Sequence, residues 1–223
     1  MNAFIYTVQI MNNKQKEDTV TLEILQVIEG KRDVTQRHLA DRLGVALGLT
    51  NSYLKRCVRK GFIKIHHVPA NRYLYYLTPK GLAEKSRLTI QYLSSSFDLY
   101  RRSGESYTEI FDFCELNNWL EIVLCGISEL TEIACIRAYE HNVNIVGVFE
   151  PESKQNEYLR LPVIKKLEEI SRYDAWIITA LYEPDTLFNK VQSEVIYKER
   201  VLLPSMLGFI QDGVVAVNNN FYR

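Results

Sequence analysis

Apolar residues follow one spacing in the first third of this chain and another in its second half. In residues 17–29, Val20, Ile24, Val27 and Ile28 recur at helical intervals, and Gly30 suits the stop. A second helix is predicted over 36–43, capped by Asp33 or Thr35. Leu39, Ala40 and Leu43 face inward, and Gly44 stands where a left-handed residue is needed. Residues 45–48 read as a turn. A third helix then starts near Thr50, Asn51 or Ser52, carries Leu54 and Val58 as its apolar stripe and stops at Gly61. There the period changes from helical to alternating. Phe62, Ile63 and Ile65 read as a strand, 69–72 as a loop and 73–77 as a returning strand. Thr78-Pro79-Lys80-Gly81 breaks the pattern and opens another helix.

From 82 to 115 there is no proline. Ala83, Ser86, Ile90, Leu93, Phe97, Tyr100, Gly104, Tyr107, Phe111 and Cys114 recur at alternating steps of three and four, a heptad seam. Such a seam suits pairing with a second chain, or packing on the chain's own C-terminal half. Gly104, beside Ser103 and Ser106, marks an expected kink or break. Beyond it, compact apolar runs at 119–125, 143–149, 174–181 and 200–203 alternate with helical patterns at 130–141, 164–170 and 187–195. Strands alternating with helices predict a parallel sheet. A last strand is predicted at 214–217.

Charge divides the chain in the same way. The net charge is zero, yet residues 31–80 hold eleven Lys or Arg against two Asp, a net +9, leaving 16 bases against 25 acids elsewhere. Segregation of this kind suits a polyanionic partner for one half, or a solvated basic face. Cys57, Cys114, Cys125 and Cys135 show no CxxC spacing, and His38, His66, His67 and His141 form no ligand set with them. Reduced thiols and no metal are expected. No apolar stretch approaches 18 residues and residues 1–16 lack secretory features, so the expected setting is cytoplasmic, without a membrane partner.

The run TQRHLADRLGVALGLTNSYLKRCVRKGFIKIHHVPANRYLYYLTPKGLAEKSRLT resembles winged helix-turn-helix regulators of the MarR class, in particular the subgroup found beside exopolysaccharide genes. The resemblance covers about residues 17–95. It implies a transcriptional regulator that binds double-stranded DNA as a homodimer, with the seam after the wing holding the two copies together. Thr50, Asn51, Ser52 and Lys55 fall at the start of the recognition helix, where short polar or basic side chains meet base edges. Arg56 and Arg59 suit phosphate contacts, as does Arg37 in the preceding helix, and Arg72 lies at the wing tip. Simpler roles stand beside these: a helix cap for Thr50, a solvated face for Arg56, a turn for Arg72. His66 and His67 suit the strand surface, and Tyr73, Tyr75 and Tyr76 suit strand packing.

In the second half, VLCGISELTEIACIRAYEHNVNIVGVFEP runs strand, small-residue turn, helix and strand, ending in an acid. With LPVIKKLEEI and DAWIITALYEPDTL, it resembles the nucleotide-sugar-binding domain of sugar O-acyltransferases, and more loosely NAD- or CoA-binding domains. The resemblance implies a ligand at Gly126, Ser128 and Glu150, with Ser128 toward a phosphate and Glu150 toward ribose hydroxyls. The glycine fingerprint is kept only at Gly126; Ser128 and Thr131 hold the other two positions. A scaffold used for packing alone is the other reading. No nucleophile–base pair stands out, and no enzyme is expected.

The fold expected is therefore α/β: a winged helix-turn-helix over 1–81, a helical linker or dimerisation segment over 82–117, and a Rossmann-like parallel α/β domain over 118–223. The function expected is a regulator controlled by a nucleotide-sugar, NAD or CoA-like effector. Two alternatives are a nucleotide-sugar enzyme or enzyme remnant using its winged helix for protein contacts, and a DNA-binding protein whose α/β half only assembles it.

Overall fold

The computed structural model describes residues 13–30, 34–68 and 72–207, without the side chains of 13–15, 68 and 72. Lys31, Arg32, Asp33 and Asn71, the predicted strand at 214–217 and the side chain of Arg72 lie outside the described residues. The chain divides into two compact units, Met1–Ser96 and Phe97–Arg223.

In the first unit, α1 (Asn13–Gly30), α2 (Gln36–Leu43) and α3 (Leu47–Arg59) precede an antiparallel pair, β1 (Ile63–Val68) and β2 (Arg72–Leu77). Thr35 caps α2, its hydroxyl accepting the His38 N–H at 3.1 Å, and Gly44 ends that helix at φ 62°. The helical spacing read in the sequence buries Val20, Ile24, Ile28, Leu39, Leu43 and Leu54 in one cluster with Phe62, Ile63 and Tyr75. Each such side chain contributes about 1.5–3 kcal/mol by leaving water.

The TPKG segment ties the hairpin to α4 (Pro79–Leu116). The Thr78 hydroxyl donates to the Gly61 carbonyl at 2.7 Å, and the Gly81 N–H donates to that same hydroxyl at 2.9 Å. A Cβ on Gly81 would stand 2.0 Å from the Phe62 carbonyl oxygen, so only glycine fits. The helix continues through Gly104 without a break, so one helix rather than two spans this region. The Arg137 guanidinium fills the space beside Gly104.

The second unit holds a six-stranded sheet in the order β5-β6-β4-β3-β7-β8. Its strands are β3 (Glu121–Cys125), β4 (Asn144–Phe149), β5 (Glu157–Tyr158), β6 (Leu161–Ile164), β7 (Ala175–Ile178) and β8 (Val201–Leu202). All pairings are parallel except β5 with β6. The parallel strands run outward in chain order, β3, β4, β6 on one side and β7, β8 on the other, the plan of a doubly wound α/β sheet, with β5 added antiparallel at the edge beside β6. Among the described residues, α5 (Glu129–Ala138) and α6 (Pro184–Glu194) join the C-terminal part of α4 as the α-helices of this unit. Side chains alternate across β3: Ile122 and Leu124 pack with Tyr107, Phe111 and Cys114 of α4 and with α5, while Val123 and Cys125 pack with Trp176, Phe188 and Val191. The helix expected at 164–170 is replaced by β6 and a short 3-10 turn, Leu167–Glu169. Val163 and Ile164 are both buried, and Ile164 pairs with Phe149, so the sheet overrides the helical pattern.

Candidate nucleic-acid interface

α3 begins at Leu47, three residues before the sequence places it, and Ala46 precedes it with no side-chain cap. The start moves because Thr50 is a core residue. It is fully buried, and its hydroxyl donates to the Ala46 carbonyl at 3.3 Å. That corrects its assignment to DNA contact and to capping alike. Asn51 is half-buried, and its Oδ1 is enclosed with no hydrogen-bond partner among the described residues.

Ser52, Lys55 and Arg59 stay exposed, one turn apart along α3, and with Arg56 they line one open groove. Arg56 differs from its neighbours. Its Nη1 lies 2.5 Å from Glu17 Oε2, and its guanidinium sits 5.6 Å from the Tyr53 ring centre. Lys60 reaches the other Glu17 oxygen at 3.3 Å. Hydrogen bonding from Arg56 holds the Glu17 carboxyl below the usual carboxylate range. One carboxylate therefore fixes two bases at the end of α3 and offsets part of their charge.

Arg37 and Arg42 of α2, Lys64 of β1 and Lys80 at the start of α4 are exposed as well. No acid lies in the first turn of α3, so its positive dipole end meets no local carboxylate. On the hairpin, His67 and Tyr73 are direct cross-strand partners with ring centres 5.1 Å apart, and His66 meets Tyr76 edge-on at 5.3 Å. Both histidines are exposed on the hairpin, each held against a tyrosine of the other strand.

The second candidate site lies where β3 and β7, neighbours in the sheet, end at the point where strand order reverses. In doubly wound sheets ligands enter there. Here the polar groups of the turn are bonded to one another. The Ser128 hydroxyl donates to the Thr179 carbonyl at 2.5 Å and accepts the Leu130 N–H at 3.0 Å. Thr131 and Thr179 both donate to the Gly126 carbonyl, at 2.6 and 2.7 Å. Gly126 stands at φ 102°, and a Cβ there would lie 2.6 Å from the Ala180 Cα. Glu150 Oε2 accepts the Ile127 N–H at 3.1 Å. The structure thus brings Gly126, Ser128 and Glu150 together, as the sequence suggests. Ser128 here caps α5, buried, with its hydroxyl donating to the Thr179 carbonyl.

One grouping escaped the sequence reading. Asp112 and Glu115, a turn apart on α4, meet His141, with ligand-capable atoms within 4.8 Å of one another. His141 Nδ1 lies 3.4 Å from Asp112 and 3.8 Å from Glu115, and Glu115 also accepts the Asn142 N–H. The i, i+3 spacing of the two acids is visible in the sequence; the approach of His141 depends on the length of α5. Among the described residues no helix is long and apolar enough to cross a membrane.

A family described as winged helix-turn-helix DNA-binding matches residues 17–64, from within α1 to the first residues of β1. No curated protein matches the chain. The N-terminal unit thus carries a winged helix-turn-helix DNA-binding domain, and the family match stops short of the α/β half.

Proposed function

We propose that this protein is a cytoplasmic transcriptional regulator that grips double-stranded DNA with α3 and its hairpin and works as a homodimer. The row Ser52, Lys55 and Arg59, exposed on the third helix of a winged helix-turn-helix, carries the reading. Arg37, Lys64 and Lys80 extend the basic surface available to phosphates.

The dimer reading rests on the middle of α4. Ile90, Leu93, Phe97 and Tyr100 of the heptad seam are 65%, 46%, 60% and 41% exposed, whereas Tyr107, Phe111 and Cys114 further along are buried in the chain's own core. Only the exposed part of the seam is left for a second copy. The likeness to MarR-class regulators of surface-polysaccharide genes suggests the kind of gene controlled.

The effector suggested by the sequence, a nucleotide-sugar, NAD or CoA-like molecule, would have to break the Ser128–Thr179 and Glu150–Ile127 bonds to occupy the Gly126 turn. The closed turn favours a packing role there, with the α/β half assembling the regulator rather than catalysing a reaction. Fluorescence anisotropy with a labelled duplex tests the central reading. Binding that weakens steeply with salt supports it. Absence of binding at low salt, with the protein folded, refutes it.

A further inference from the structure

We infer that Leu47 and Leu49 read thymine, by setting apolar surface against C5-methyl groups in the major groove. The inference rests on the DNA-binding reading above and adds to it the base preference.

Leucines elsewhere in α1, α2 and α3 go inside: Leu22, Leu25, Leu39, Leu43 and Leu54 are all 7% exposed or less. Leu47 and Leu49 are 43% and 48% exposed. Both lie in the first turn of α3, the part of a recognition helix that meets base edges. At 100° per residue, Gly48 lies on the row that continues through Ser52, Lys55 and Arg59, and the two leucines flank it. Nothing lies within 4 Å of where a Cβ on Gly48 would stand, so the row is bare at its tip.

Polar readers are scarce in the same turn. Thr50 is buried, the Asn51 oxygen is enclosed, and Ser52 is the exposed polar side chain of residues 47–52. A helix tip built from Leu-Gly-Leu offers few hydrogen bonds to base edges. In the major groove the apolar feature of a base pair is the thymine methyl. Lys55 and Arg59, one and two turns further on, remain for guanine or phosphate. The tip thus selects thymine by contact, while the charges supply affinity.

The experiment replaces thymine by deoxyuracil, which removes one methyl and leaves the base pairing intact. The full-length protein first selects duplexes from a random library. The best duplex is then resynthesised with each thymine changed in turn. At one or two thymines, uracil weakens binding about fourfold per methyl buried. 5-Bromouracil, whose substituent is about methyl-sized, restores it. Leu49→Ala or Leu47→Ala binds thymine and uracil duplexes alike, whereas Leu49→Met keeps the discrimination. Indifference to uracil at every thymine overturns the inference, as does discrimination unchanged in both alanine variants, and in either case DNA binding itself stands. Failure to enrich any duplex sinks the DNA-binding reading, and this inference with it.

Discussion

Glu150 Oε2 accepts the backbone N–H of Ile127 at 3.1 Å, and so occupies a donor of the very turn that a nucleotide would need. Beside it, Ser128 is committed to Thr179 and Leu130. These bonds make the turn a junction between β3, α5 and β7. In a thermal-shift titration, NAD, a UDP-sugar or CoA at about 1 mM is expected to leave the melting temperature unchanged. A saturable rise with any of them would show that the turn opens. Gly126→Ala should cost about 2 kcal/mol or more, from the strained φ and the clash with Ala180, and should lower the melting temperature of the α/β half.

Thr50 gives a sharper contrast between core and interface. Thr50→Val replaces a buried hydroxyl that bonds within its own helix. It should change stability by less than about 1 kcal/mol and leave DNA affinity intact. A selective loss of affinity at unchanged stability would return Thr50 to the interface.

Both readings of Thr50 show how far the sequence carries. The stretch Thr50-Asn51-Ser52 looks like a helix start because such residues cap helices, and Gly48 looks like a turn. Tertiary packing overrides this, since Thr50 faces the core and the helix begins at Leu47. Period-2 alternation places β1 and β2 within three residues of their ends, and the apolar runs place β3, β4 and β7 closely. The heptad seam was visible as a pattern, but not its division. Tyr107 is buried and Phe97 exposed although both obey the same spacing, because only the former has the sheet beside it. At the Gly126 turn the residues were legible; their bonds to Thr179 were not, since 51 residues separate Ser128 from its acceptor.

Glu17 predicts a pH effect. Arg56 holds its carboxyl below the usual range, so the folded state binds that proton less readily than the unfolded chain. The contribution is therefore present above the ordinary carboxylate pKa and is lost as pH falls through the depressed folded value. Glu17→Gln should be less stable than the parent at pH 7, and the gap should close below about pH 4. Chemical denaturation at several pH values checks this, and a gap independent of pH contradicts it. The same variant removes a negative charge beside Arg56 and Lys60, and should bind DNA more tightly at low salt.

Cys57 lies on the buried face of α3, 2% exposed, and burial pushes its thiol up to about 11. Cys114, in the α/β core, is pushed up to about 12. Thiolates are the reactive form, so both should resist alkylation at pH 8 until the fold opens. Rapid labelling of native Cys57, read by mass spectrometry, would mean that α3 does not pack as described.

The most direct test of DNA recognition by α3 is the salt dependence of binding by the parent and by Lys55→Ala/Arg59→Ala. Each phosphate contact adds about 0.9 to the slope of log affinity against log salt. If both side chains meet phosphate, the double variant binds more weakly and its slope is shallower by about 1.8, with the fold unchanged by circular dichroism. Equal affinity and equal slope in parent and variant would place the DNA elsewhere on the protein, or nowhere.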